Sequence, residues 1–522
     1  MRPALKFLLW TSLFGILILP ATAQLSQCPA RPGAGSVVAE PPAYTSENGV
    51  VHANITVRST VDPDGNVRYC FVSPIGEAPT IRANPGDQVD IQLTNRITAT
   101  AAGVHSHAMP ISNPCAGRTM SVTSTNLHFH GLNITPTCHQ DDVLRTVVNN
   151  TDPPFLYRFR IPENEPPGVY WYHPHMHSLT MPQIMGGASG AIIVEGIEQI
   201  KPEVIGLPQR VFIIRDQLIA AGGGGGDNDL SSLSLNFVPA TYPNTLAPQI
   251  NMAPGEKQFW RVLNAAGEHF MNLQVWIDGV AEDLQVISLD GTPQKRNVVQ
   301  KTITIPPSGR AEFIMTGPNV GQLGQFITNG IFSGIDGDPN PKQVIAFVNA
   351  TGTSQPHTEV ASAKLQGARR FSDLENRKAV VQRSLYFSED LTDQNNPKFF
   401  LTVDGQTPKQ FDPSDPPAIV TTQGAVEEWT IENRSGEIHA FHMHQIHFVV
   451  EDVNGQPVKE RKIQDTVVVQ PWDKVSSTYP SVKLLMDFRY PENVGTFVYH
   501  CHILDHEDGG MMAKIQVNPA AK

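Results

Sequence analysis

Near the C-terminus one cysteine sits between two histidines, in Tyr499-His500-Cys501-His502-Ile503-Leu504-Asp505-His506-Glu507-Asp508-Gly509-Gly510-Met511. A trigonal copper site with a weak axial thioether takes two imidazoles, a thiolate and a methionine sulfur. Cys501, His506 and Met511 supply three of these ligands, so a second histidine must come from elsewhere. On an extended strand side chains alternate, which turns His500 and His502 to the face opposite Cys501. A segment able to ligate on both faces predicts two metal centres joined through a few covalent bonds.

The remaining histidines supply partners for both faces. Of the 18 His in the chain, seven more fall in three tight groups. His128-Phe129-His130 and His173-Pro174-His175 are His-x-His pairs. His439-Ala440-Phe441-His442-Met443-His444 adds a third pair with a histidine three residues ahead of it. With His500 and His502 the pairs make eight imidazoles, and His439 is the nitrogen ligand that the Cys501 site lacks. A His-rich chain shows some His-x-His by accident, and His105-Ser106-His107, in an Ala/Gly/Ser/Pro loop, reads as one. Four pairs together with the Cys501 pattern do not.

These residues resemble the three-domain multicopper oxidases, a family that includes laccases, bilirubin oxidases, ferroxidases and cuprous oxidases. The resemblance covers nearly the whole chain after residue 23 and implies four copper ions per chain. It assigns His439, Cys501 and His506 to a type 1 copper, with Met511 axial, and His128 and His442 to a type 2 copper. His130, His173, His175, His444, His500 and His502 fall to a type 3 pair. It further implies that electrons enter at the type 1 site and pass along Cys501 to His500 and His502, where dioxygen is reduced to water. Proton-relay acids are expected shortly after the first His-x-His pair, at Asp141 or Asp142, and just after the last type 1 histidine, at Glu507. Partial burial should raise their pKa values. Ala440 stands where the family often has proline and Gln445 where it often has glycine, and neither is expected to touch a ligand. His177 and His447 sit beside the motifs at the wrong spacing and read as supporting or surface residues.

A faint repeat indicates what positions the ligands. Pro85-Gly86-Asp87 leads through Val89, Ile91 and Leu93 to Asn95. Pro254-Gly255-Glu256 leads through Phe259, Trp260 and Val262 to Asn264, and Gln423-Gly424-Ala425 through Trp429 and Ile431 to Asn433. Each turn glycine precedes its asparagine by nine residues, and successive copies lie 169 residues apart. A turn, an alternating strand and a polar break are β signatures, and a long period implies equivalent units. The expected fold is all-β, with three consecutive cupredoxin-like Greek-key β-sandwich domains. Their expected bounds are 24–200, 201–350 and 379–522, with a polar linker over 351–378. After Asn264 come only His269-Phe270-Met271-Asn272-Leu273, so the middle domain is read as copper-free and His269 as structural. Ligands from the first and third domains must then meet across an interface, which couples metal binding to fold stability.

At 522 residues the chain exceeds one ordinary core. Arg2, Lys6, the apolar run Phe7 to Leu19 and Ala21-Thr22-Ala23 read as a secretory signal over 1–23, and predict a periplasmic or extracellular protein. No later run is long and apolar enough to span a bilayer. The net charge of −12 falls to about −14 without Arg2 and Lys6, and no basic run suggests nucleic acid or anionic membrane as partner. A monomer is expected, with dioxygen and a small reductant as partners. Setting Cys501 aside, Cys28, Cys70, Cys115 and Cys138 allow two disulfides in an oxidising compartment. Cys115 with Cys138 is favoured because it would brace the loops flanking His128 and His130; free buried thiols are the alternative. The Gly222 to Gly226 run lacks the Gly-Lys-Ser/Thr ending of a phosphate loop and reads as a surface loop.

The leading reading is a laccase-like oxidase of phenols or aromatic amines, with an axial methionine implying easily oxidised substrates. A ferroxidase or cuprous oxidase is the alternative, and would need carboxylates beside His439 or His506. Only Met176, Met181 and Met185 cluster near a motif, which counts against a dedicated cuprous oxidase. A copper-binding or electron-transfer cupredoxin would need no trinuclear set.

Overall fold

Each copy of the sequence repeat becomes one strand at the same place in a sandwich. Gly86, Gly255 and Gly424 turn the chain at φ +89°, +65° and +100°, a region costly for other residues. The strands Gln88–Arg96, Lys257–Asn264 and Val426–Asn433 follow. Each runs parallel to the long strand that opens its block: Val50–Val61, Gln209–Gln217 and Val381–Asp390. The polar break also has one job throughout. Asn95 Nδ2 donates to the carbonyls of Thr123 and Val148, at 2.7 and 2.8 Å. Asn264 donates to those of His269 and Pro306, both at 2.8 Å, and Asn433 to those of Glu437 and Gln470, at 2.6 and 3.0 Å. Each Oδ1 accepts the backbone N–H two residues on. The asparagine pins the loop that leaves its strand, and in the third block that loop leads straight to His439.

This computed structural model describes residues 27–62, 65–98, 113–117, 119–217, 232–241, 246–352, 362–367, 369–393 and 395–521. The expected signal segment, His105 and His107, the five-glycine run and part of the expected linker lie outside the described residues. The strands form six sheets, two per block, spanning residues 43–194, 209–350 and 381–518. Alternating apolar residues from both sheets close a core in each, around Phe71, Trp260 and Trp429 respectively. Truncating such a buried aromatic to alanine costs about 3–5 kcal/mol. A further apolar cluster draws Val169 and Trp171 from the first sandwich, Val211 and Leu263 from the second, and Leu504 from the third, so the three blocks share a junction. No helix among the described residues is long and apolar enough to cross a membrane.

Two disulfides are present. Cys28–Cys70 ties the N-terminal segment to the strand Val67–Ser73, and Cys115–Cys138, the favoured pair, brackets the strand His128–His130. Closing the loop between Cys115 and Cys138, 23 residues apart, removes about 3 kcal/mol of unfolded-chain entropy.

Candidate metal centres

The strand Gly495–Cys501 lies between His439–Met443 and Met512–Asn518. Phe441 pairs with Cys501 and His442 with His500, so strand alternation sends His439 and Cys501 to one face, and His442 and His500 to the other. The short helix Leu504–Asp508 then returns His506 to the Cys501 face. Cys501 Sγ is 3.5 Å from His439 Nδ1 and 3.9 Å from His506 Nδ1, and the two nitrogens are 3.3 Å apart. Met511 is fully buried; its N–H donates to the His506 carbonyl, and its own carbonyl accepts the Cys501 N–H. Burial would raise the Cys501 thiol, but His439 and His506 outweigh it and bring the pKa down to about 6. The outward nitrogens are held by oxygen: His439 Nε2 by Ser435 Oγ at 2.7 Å and Glu389 at 3.3 Å, His506 Nε2 by Glu437 at 3.3 Å. A carboxylate on the far nitrogen of a ligand histidine fixes its tautomer and orientation.

On the other face, the first and third sandwiches meet ring against ring. His128 stacks on His444 with centroids 3.8 Å apart, and His130 on His442 at 3.9 Å. The Nε2 atoms of His175 and His444 lie 3.4 and 3.2 Å from that of His500. His502 sits 5.1 Å from His130 and 5.7 Å from His173 by ring centroids. Backbone and carboxylate acceptors take one nitrogen of several rings: Nδ1 of His128 meets Asp141, and Nδ1 of His442, His173 and His500 meet the carbonyls of Asp465, Pro174 and Cys501. His128 Nε2, His130 Nδ1, His173 Nε2, His442 Nε2 and both nitrogens of His502 are buried with no hydrogen-bond partner. Orphaned buried nitrogens are costly, and here they converge. Burial, reinforced by neighbouring rings, holds His128 at about 3 and pushes His130, His173, His442, His444 and His502 well below the usual imidazole range. Neutral imidazoles with inward lone pairs are the form that binds a metal ion.

Multicopper oxidase profiles match residues 118–199, 171–334 and 383–521, covering both histidine faces and the Cys501 segment. The chain belongs to the multicopper oxidase family. It is 24% identical over 459 residues to a multicopper oxidase of Staphylococcus aureus, covering 84% of this chain and 81% of the relative. It is 23% identical to a laccase of Bacillus subtilis, over 85% of this chain and 89% of the relative. In structure it resembles a multicopper oxidase of Campylobacter jejuni described as a metallo-oxidase, with a TM-score of 0.66 and 19% identity over 94% and 96% of the two chains. The three sandwiches are thus cupredoxin-like domains, and the protein is a copper-dependent oxidoreductase with dioxygen as acceptor. The converging imidazoles and the Cys501 triad fit the copper that membership implies.

The acids of this multicopper oxidase divide sharply. Asp141 is buried, with both oxygens 3.0 Å from His128 Nδ1, and accepts the Phe129 N–H at 2.9 Å. Burial lifts its pKa to about 7. Asp142 faces away: it accepts the Arg145 N–H at 3.2 Å, and burial lifts it to about 6. Glu507 lies 3.1 Å from His500 Nδ1 and 3.5 Å from His175 Nε2. Its shift corrects the expectation of a raised pKa. Burial would raise it, but His175 and His500 outweigh burial and hold the carboxyl well below the usual range. Gln445 joins the site one step removed from the histidines: its amide donates to Asp141 Oδ2. Its φ of +57° also explains why glycine suits that position.

Four contributors went unseen in the sequence. Asp465 is fully buried beside His130 and His447, at 3.3 and 3.5 Å, and Arg310 from the middle sandwich grips it with two hydrogen bonds of 2.7 and 2.5 Å. Glu389 and Glu437 back the two histidines of the Cys501 face. His447 is a buried supporting residue, 2.9 Å from the Asp290 carbonyl.

Proposed function

We propose that this protein holds four coppers per chain and couples one-electron oxidation of a reductant to four-electron reduction of dioxygen to water. His439, Cys501, His506 and Met511 would hold the type 1 ion, and His128 and His442 would hold the type 2 ion. His130, His173 and His502 hold one type 3 ion, and His175, His444 and His500 the other. The observation that carries this reading is the inward convergence of orphaned imidazole nitrogens on one face of a strand whose other face bears Cys501. Copper supplies the one-electron redox chemistry and the dioxygen reduction. The protein keeps the rings of His128, His130, His173, His442, His444 and His502 neutral and oriented, excludes water from the chamber, and joins the two centres through consecutive residues 500–502. Asp141 holds a proton for water formation and Glu507, kept ionised, passes protons on as an acceptor; Asp142 does neither, since only the first two touch ligand histidines.

Carboxylates beside His506 support one class of reductant over another. His506 is only 2% exposed, its ring stacked on Phe399 with centroids 4.3 Å apart, and its outer nitrogen faces Glu437 and Asp505. Nearby Glu268 is pushed up to about 8 by burial and by Asp505 and Asp216. Such crowding of negative charge is what a bound cation relieves. This favours a low-valent metal ion, Fe(II) ahead of the softer Cu(I), over the phenols and aromatic amines that the sequence alone favours. The two disulfides fit an oxidising compartment and support export to the periplasm or exterior.

Copper quantitation and oxygen uptake test the proposal. About four coppers per chain and uptake with Fe(II) or Cu(I) are expected, with the metal-ion rate lost in Glu437→Gln/Asp505→Asn. Uptake with a phenol alone would move the reading to a laccase, and about one copper per chain would leave only an electron-transfer protein. Glu507→Gln should slow oxygen reduction and leave the blue type 1 absorption intact.

A further inference from the structure

A cavity of about 300 Å³ lies between the first and third sandwiches, and one of its walls is His175. Met120, Met176 and Met512 line it together with His177, amid Val143, Leu144 and Val498. Thioethers are soft, polarizable donors that select Cu(I) over harder ions. His177 Nδ1 is buried without a hydrogen-bond partner. Two of the donors adjoin the histidines directly: Met176 lies between His175 and His177 in sequence, and Met512 pairs with His500 in the sheet. An apolar wall, three thioethers and an unpartnered imidazole suit a weakly hydrated monovalent cation and repel a hydrated divalent one.

We propose that Met120, Met176, His177 and Met512 form a Cu(I) site through which the histidine chamber is loaded. Transfer is a ligand exchange, from thioethers to the neutral imidazoles of His175 and its neighbours. The ion remains Cu(I) and no proton or electron is exchanged. A binding site on the chamber wall matters because the chamber itself is closed: the rings of His128, His130, His173, His442 and His502 are all at most 1% exposed. The loading role rests on the assignment of His175 as a copper ligand, whereas the cation site does not.

Silver(I), a redox-inert probe of Cu(I) chemistry, separates the two. Equilibrium dialysis of the copper-loaded protein against Ag(I), read by metal analysis, should show about one equivalent more in the wild type than in Met120→Leu/His177→Gln. Both substitutions conserve volume outside the ligand set, and an unchanged thermal midpoint confirms folding. Copper-free protein given Cu(I) under anaerobic conditions should fill roughly tenfold more slowly in the variant but reach the same final copper content. Equal Ag(I) uptake by both proteins overturns the site. Lost Ag(I) with wild-type filling overturns the loading role. A protein that never takes up about four coppers defeats the proposed function instead, and the Ag(I) difference still reads the site.

Discussion

The middle and third sandwiches carry the same corner put to different use. In the third, Phe387 pairs with Asn433, and two residues beyond Phe387 stands Glu389, which meets His439 at 3.3 Å. In the middle, Ile214 pairs with Asn264, and two residues beyond Ile214 stands Asp216, which meets His269 at 2.8 Å. The carboxylate–imidazole pair is therefore common to both. What differs is the far side of the ring. His439 turns Nδ1 to a thiolate and a second imidazole, whereas Asp216 is occupied with fixing its own loop through the N–H groups of Gly267 and Glu268. An orienting acid is not sufficient for a metal site; a neighbouring strand must bring a cysteine.

The largest test of that statement removes the cysteine. Cys501→Ser should abolish turnover with any reductant and lower the copper content by about one ion per chain, leaving the histidine chamber filled. Next comes the acid beneath the chamber in the first sandwich. Asp141→Asn should slow oxygen-dependent turnover by roughly 10²–10⁴-fold, while Asp142→Asn stays within about threefold, because proton delivery needs contact with the chamber. Steady-state oxygen uptake checks both. Glu389→Gln should cost about 10–100-fold in type 1 copper affinity or activity, whereas Asp216→Asn leaves copper content unchanged, read by metal analysis.

Two smaller effects concern what the corners share. Asn264→Ala and Asn433→Ala should each cost about 1–3 kcal/mol in chemical denaturation, since both strip buried carbonyls of their donor. Unequal losses would show that the repeat is not equivalent in energy. The Asp216–His269 pair should also leave a pH signature. His269 is raised, so its contribution is complete below about 6.5 and is lost as pH rises through its folded pKa. Asp216 is lowered, so its contribution is complete above about 4 and is lost as pH falls through its folded pKa. The stability gap between wild type and Asp216→Asn should therefore be greatest between about pH 4 and 6.5, and narrow on either side.

The gathering of the paired histidines was legible because metal chemistry constrains residue type and spacing within a single strand. So was the equivalence of the three blocks, because the turn glycine and the asparagine recur at a fixed distance. Asp465 and Glu389 were not, since a buried carboxylate and a solvated one look alike in a sequence. Asp465 lies 335 residues from His130 and meets it only through folding. Arg310 was hidden for a related reason: it sits in the sandwich that bears no copper motif. Gln445 could have been found, because a side chain at a position that favours glycine signals a compensating contact.

The grip of Arg310 on Asp465 has a consequence for any attempt to shorten this protein. Joining the first and third sandwiches directly would keep every clustered histidine and Cys501, yet leave Asp465 without the guanidinium that faces it. Losing one partner of a buried ion pair costs about 3–5 kcal/mol. The middle sandwich is therefore the counter-charge of the chamber, and a minimal version would have to supply a cation of its own.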